Sequence, residues 1–209
     1  MKALILVDLQ NDFMPGGSLA VSEGDRTVEI ANRLMPSFDI VVATQDYHPE
    51  THGSFASQYR GKNPGEMVEL AGLQQILWPD HCVEGTAGVE FMDGLNLSGV
   101  TKVFKKGTDP EVDSYSGFYD NDRRNSTGLT PWLKENGVSE VYVMGLATDY
   151  CVKFTAIDAL KDGFKTSLVT DGSRGVNLQE GDVDKALEEM KEAGIKMVLS
   201  EQLLQDGGP

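Results

Sequence analysis

The sequence predicts an α/β fold: a single doubly wound domain whose mostly parallel central sheet of six strands is flanked by helices. Three observations lead there. Six short apolar runs each close on polar or glycine-rich residues, amphipathic helical stretches alternate with them, and glycine punctuates the ends of three of those stretches. Continuous apolar runs of this length read as strands buried on both faces, the pattern of a parallel sheet. Strands that alternate with helices build a doubly wound sheet.

In chain order the strand candidates are Ala3 to Val7, closing at Asp8, and Ile40 to Ala43, closing at Thr44-Gln45-Asp46. Lys102 to Phe104 closes at Lys105-Lys106-Gly107, and Glu140 to Met144 at Gly145. Thr166 to Val169 closes at Thr170-Asp171-Gly172, and Lys196 to Leu199 is the last. The helix candidates are Arg26 to Leu34, Thr130 to Asn136, Thr148 to Leu160 and Val183 to Ala193. The last three end near Gly137, Gly163 and Gly194, where a left-handed cap is expected. The stretch around 46–96 breaks this rhythm. It is rich in Gly, Pro, Ser and His, and a long irregular insertion in a compact domain is usually functional. The domain is expected to span residues 1–205, with 206–209 a flexible tail.

The chain has 209 residues, 33 acidic against 18 basic, for a formal charge of -15. Phosphate backbones and anionic membrane surfaces would be repelled, which disfavours nucleic acid and membrane partners and suits a small-molecule substrate. Two cysteines, Cys82 and Cys151, make no disulfide framework and fit a reducing cytoplasm. The N-terminal apolar run is too short for a signal peptide, and no stretch approaches the ~20 apolar residues of a membrane helix. Self-association to a homo-oligomer stays open.

Ligands of open α/β sheets bind beyond the carboxyl ends of the strands. Asp8, Asp46 and Lys106 end three runs, and Gly145-Leu146-Ala147 leads into the helix carrying Cys151. All are therefore expected on one rim. A thiol at a helix N-terminus beside an ammonium should ionise readily and attack an amide carbonyl. Backbone amides of the same turn, Ala147 and Cys151, are candidates for an oxyanion hole. A lone cysteine would more simply be an inert, buried small hydrophobe, and only its position and charged neighbours raise the reactive reading to parity. Asp8 ends an apolar strand and is a candidate general base, although capping a turn is the commoner use of Asp. Neighbouring side chains of an extended segment face opposite ways, so only one of Lys105 and Lys106 can enter the site; Lys106, beside Gly107, is the choice.

All three histidines, His48, His52 and His81, lie in the irregular segment. Asp46 and His48 sit at i and i+2, on one face of an extended chain, and His81 completes a set of two imidazoles and a carboxylate. Such a set suits one divalent ion, with Zn(II) favoured and Fe(II) or Mn(II) possible, and His52 is an optional fourth ligand. Cys82 adjoins His81 but diverges from it and reads as structural. Phe13, Trp78 and Tyr115 lie in nearby loops and could stack on a flat aromatic substrate, where ordinary packing is the default alternative.

Asp8-Leu9-Gln10-Asn11-Asp12-Phe13, Asp46-Tyr47-His48-Pro49, Trp78-Pro79-Asp80-His81-Cys82-Val83, Lys106-Gly107, Asp113-Ser114-Tyr115-Ser116-Gly117-Phe118 and Gly145-Leu146-Ala147-Thr148-Asp149-Tyr150-Cys151-Val152 resemble, in order, the nicotinamidases among the isochorismatase-like cysteine hydrolases. The resemblance implies a catalytic triad of Asp8, Lys106 and Cys151, a metal held by Asp46, His48 and His81, and a ring pocket of Phe13, Trp78 and Tyr115. It implies a cis peptide between Leu146 and Ala147, and hydrolysis of nicotinamide to nicotinate and ammonia through a thioester, with pyrazinamide also accepted and a place in NAD salvage. The alternatives are a related amidase acting on another small amide, and a non-catalytic sensor; the complete Asp, Lys and Cys set argues against the sensor. A flavodoxin-like carrier is disfavoured because no Gly-rich phosphate loop follows the first strand.

Overall fold

A computed structural model describes residues 1–206; of the expected tail at 206–209, residues 207–209 lie outside the described residues, and Asp206 closes a helix. Strands β1 (Lys2–Val7), β2 (Ile40–Asp46), β5 (Lys102–Lys106), β6 (Glu140–Leu146), β7 (Lys165–Arg174) and β8 (Lys196–Val198) form one sheet in the order β5-β2-β1-β6-β7-β8. Every pairing in it is parallel. Helices α1 (Arg26–Leu34), α2 (Leu129–Glu135), α3 (Lys153–Lys161), α4 (Asp182–Glu192) and α5 (Ser200–Asp206) complete the layers. All six apolar runs thus become strands, and Gly137, Gly163 and Gly194 all take positive φ after α2, α3 and α4.

The pleat of β1 explains why its run is continuously apolar. Leu4 and Leu6 face one core layer with Val28, Ala31 and Leu34 of α1, while Ala3, Ile5 and Val7 face the other with Leu129, Leu133 and Ala156 of α2 and α3. Both faces are covered, so no position can be polar without a special reason. β1 is central, and the chain leaves it toward β2 on one side and β6 on the other. That reversal opens a crevice at the carboxyl ends of β1 and β6, the usual ligand site of such sheets.

Three elements differ from the expectation. β7 runs on through Asp171-Gly172-Ser173-Arg174, expected to be loop, because the register shifts between Val143 and Gly145 of β6 and pairing resumes at Ser173. The Asp171 carboxylate then accepts hydrogen bonds from the Ser200 N–H (2.8 Å) and hydroxyl (2.5 Å) at the start of α5, a helix the periodicity did not reveal. Inside the irregular segment, β3 (Met67–Leu70) and β4 (Leu73–Ile76) form an antiparallel hairpin. Its two turn residues, Ala71 and Gly72, both have positive φ, as a two-residue primed turn requires.

Candidate active site and metal centre

Four chain segments meet at the crevice. β1 delivers Asp8, which takes φ 51°, an uncommon conformation that Asp tolerates better than most residues. β2 delivers Asp46, and β5 delivers Lys106, whose register partner in the sheet is Asp46 itself. β6 ends in a cis peptide between Leu146 and Ala147 and runs into a π-helical turn, Thr148–Val152, that carries Cys151. The helix expected from Thr148 therefore starts with a wider turn, and the α-helix proper begins at Lys153.

Lys106 is the hub of this site. Its Nζ lies 2.9 Å from Asp8 Oδ2, 3.0 Å from Asp46 Oδ1 and 3.5 Å from Cys151 Sγ, and it donates to the Ser114 carbonyl at 2.9 Å. Lys105 points the other way, its Nζ 3.4 Å from the centre of the Tyr47 ring. Asp8 caps no turn with its side chain: Oδ1 accepts from the Thr44 hydroxyl at 2.6 Å and Oδ2 faces Lys106.

Two buried carboxylates share one ammonium, and they divide it unequally. Burial pushes the Lys106 ammonium toward neutrality, but Asp46, Asp8 and the sulfur outweigh it and hold its pKa well above the ordinary value. Burial also opposes ionisation of Asp46, yet His48 and Lys106 hold its pKa well below the usual range. Asp8 is left as the weaker claimant: burial, reinforced by the Asp46 charge, raises its pKa despite Lys106. The Cys151 thiol goes the opposite way from the expectation. Burial raises it well above its ordinary value, Lys106 opposes that, and Asp8, Asp46 and Asp113 add to it. The resting sulfur is therefore a protonated thiol beside a carboxylate of raised proton affinity.

The insertion folds back to bring His81 to the strand ends. The His48 N–H donates to the Cys82 carbonyl (3.0 Å), and the Glu84 N–H to the His48 carbonyl (2.8 Å), so residues 82–84 pair alongside the end of β2. His48 Nε2 lies 3.2 Å from Asp46 Oδ1, and His81 Nε2 3.6 Å from Asp46 Oδ2. Each of these rings turns its Nδ1 to a backbone carbonyl, Gly107 for His48 and Pro79 for His81, both at 2.8 Å. The carbonyls can only accept, so each Nδ1 carries hydrogen and each Nε2 is the atom turned to the carboxylate, the orientation a metal requires. Without a metal, burial opposes charge on His48, but the adjacent Asp46 outweighs it and raises the imidazole pKa. Asp46 Oδ1 and His48 Nε2 are buried without a hydrogen-bond partner. Asp46, His48 and His81 thus form a group able to hold a cation, and the donor set fits a divalent metal. Gly107, at φ 66°, belongs to the same construction, since a Cβ there would strike the His48 ring.

His52 is fully buried, its ring 4.3 Å from that of His48, with Nδ1 on the Ser54 hydroxyl (2.7 Å) and Nε2 without a partner. It groups with His48 and Asp113 rather than with Asp46 and His81. Burial and the neighbouring His48 lower its pKa to about 4, so it is neutral. Cys82 is fully buried, and burial pushes its thiol well up.

Phe13, Trp78, Tyr115, Ala147 and Cys151 line one small cavity with Asp46 and His81. Phe13 packs edge-on against His81 at 5.5 Å, and the Trp78 indole N–H donates to the Tyr115 hydroxyl at 3.2 Å. The nucleophile candidate and two of the three candidate metal ligands therefore line one space. The motif reading passed over two participants. Asp113, also on the cavity wall, is held by the Gln75 amide (2.9 Å) and the Ser114 N–H (2.8 Å). Gln10 grips the backbone of Asp46, donating to its carbonyl and accepting from its N–H, both at 2.8 Å. Their polar position within strong motifs was visible, but their partners are distant in sequence.

The isochorismatase domain model matches residues 2–202. A nicotinamidase of Escherichia coli is 52% identical over 197 residues, covering 92% of each chain. The structure of an Acinetobacter baumanii nicotinamidase and pyrazinamidase superposes with TM-score 0.93 at 44% identity, covering 97% of each chain. A Pyrococcus horikoshii pyrazinamidase solved in complex with zinc superposes with TM-score 0.77 at 42% identity, covering 95% of this chain and 98% of that one. With the sheet order, the crevice at β1 and β6 and this match over nearly its whole length, the chain belongs to the isochorismatase domain family.

Proposed function

We propose that the chain is a nicotinamidase that hydrolyses nicotinamide to nicotinate and ammonia, and accepts pyrazinamide. The carrying observation is the Lys106 ammonium 2.9 Å from Asp8 and 3.5 Å from the Cys151 sulfur, with Cys151 lining a cavity that also takes in Asp46 and His81. Asp8 takes the thiol proton, and Lys106 stabilises the sulfur anion as it forms. The sulfur attacks the carboxamide carbon, and the backbone N–H groups of Ala147 and Cys151 receive the developing oxyanion. Asp8 returns the proton to the leaving nitrogen, the C–N bond breaks, and ammonia departs from a thioester. Asp8 then takes a proton from water, and hydroxide adds to the thioester carbon. Collapse expels the sulfur, which recovers the proton from Asp8, while the carboxylic acid formed loses its remaining proton to solvent and leaves as nicotinate.

Asp46, His48 and His81 would hold the metal, with zinc the proposed ion and His52 held in reserve on the far side of His48. A metal held there would supply a Lewis-acid site for the pyridine nitrogen of the substrate. Phe13, Trp78 and Tyr115 clasp the ring faces. Cytoplasmic NAD recycling is the setting this chemistry suits, and among the described residues no helix is long and apolar enough to cross a membrane.

The test is ammonia release from nicotinamide by wild-type protein and by Cys151→Ala. The wild type should turn over, and the variant should release no ammonia while keeping its circular dichroism. Turnover by the alanine variant removes sulfur as the nucleophile. Turnover of other small amides with nicotinamide refused would redirect the substrate assignment and leave the chemistry standing.

A further inference from the structure

The substrate cavity is lined by Val176 and Tyr150 beside Cys151. Val176 follows β7, and Tyr150, like Tyr115, also lines a neighbouring cleft of about 340 Å³. One side chain ties the two together. Asp149 precedes Tyr150 in the turn that carries Cys151, and its buried carboxylate accepts from the Val176 N–H at 2.9 Å and the Asn177 N–H at 2.7 Å. The segment passes close above it: a Cβ on Gly175 would strike Val183 and come within 3.0 Å of Asp149 Oδ1. Leu178, just beyond, is 46% exposed. Val176 packs half-buried against the core, Asn177 and Leu178 are exposed, and the Asp149 carboxylate adds two hydrogen bonds that tie the segment to the turn.

We propose that Asp149 is a positioning residue for the reaction: it latches residues 176–177 onto the nucleophile turn, so that Val176 is held as a wall of the substrate pocket. The proposal rests on the amidase reading of this pocket. Because Asp149 touches neither sulfur nor metal cluster, its loss should weaken ring binding more than chemistry.

Three measurements on the full chain test it: nicotinamide kinetics, hydrogen exchange of the Val176 and Asn177 amides, and the rate of Cys151 alkylation by iodoacetamide. In Asp149→Ala the KM should rise about tenfold with kcat changed less than about threefold. Both amides should exchange at least about tenfold faster, and alkylation should quicken, because the pocket stands open more of the time. Asp149→Asn keeps one acceptor oxygen and should fall between, which covers the case in which the alanine variant does not fold. Val176→Ala should raise KM while leaving Asn177 protected. Unchanged KM in Asp149→Asn, or faster exchange without a KM change, overturns the proposal. Failure of the wild type to release ammonia strikes the amidase reading instead, and the exchange and alkylation rates still decide whether the latch exists.

Discussion

At the scale of single residues, chemistry follows from how one ammonium is divided. Asp46 keeps its charge and Asp8 is pushed toward protonation, so in the proposed mechanism Asp8 is the group that exchanges a proton with the thiol. Asp8→Asn keeps the shape and removes the exchange; kcat should fall by about 10²–10⁴, measured as ammonia release. The pH dependence has a definite sign. Asp8 must be ionised to accept the thiol proton, so kcat/KM should fall as pH drops through its raised pKa. The 2.6 Å bond from the Thr44 hydroxyl favours the ionised form. Thr44→Val removes that bond, raises the pKa further and should move the acid limb of the kcat/KM profile to higher pH. A limb that stays in place would show that another group sets it. Asp8, Lys106 and Cys151 stood out in the sequence because each is a reactive type at a strand end. The thiol's protonation state did not, since three carboxylates from separate segments decide it.

At the scale of elements, the sheet was legible because β1, β2 and β6 are buried on both faces and so must read as apolar runs. Ile5 packs at 0% exposure against the α2–α3 layer, and Ile5→Ala should cost about 2–5 kcal/mol of stability, read from a denaturant titration with unchanged slope. The insertion was illegible as an element. Its strands Met67–Leu70 and Leu73–Ile76 are short and half-exposed, and only Ala71-Gly72 between them hints at a hairpin. The loop after β5 makes its own prediction. Gly107→Ala would drive a Cβ into the His48 ring, so the variant should bind zinc about tenfold or more weakly by competition with a chromophoric chelator.

At the scale of the whole molecule, the proposed metal ties β2 to the folded-back insertion. A ligand that binds only the native state stabilises it by mass action. Chelation should therefore lower the Tm of metal-loaded protein and abolish turnover, and zinc should restore both; a Tm indifferent to metal would refute the linkage. The sequence alone determined the sheet of six parallel strands, the rim on which Asp8, Asp46 and Lys106 end their strands, and the candidate ligands at 46, 48 and 81. These are local facts, carried by periodicity and by reactive residue types at strand ends. Tertiary structure alone decided that Asp8 rather than Asp46 has the raised proton affinity, that His81 is drawn to His48 by pairing at 82–84, and that Asp149 reaches Val176. Each depends on groups tens of residues apart, whose distance, burial and mutual charge exist only once the chain has folded.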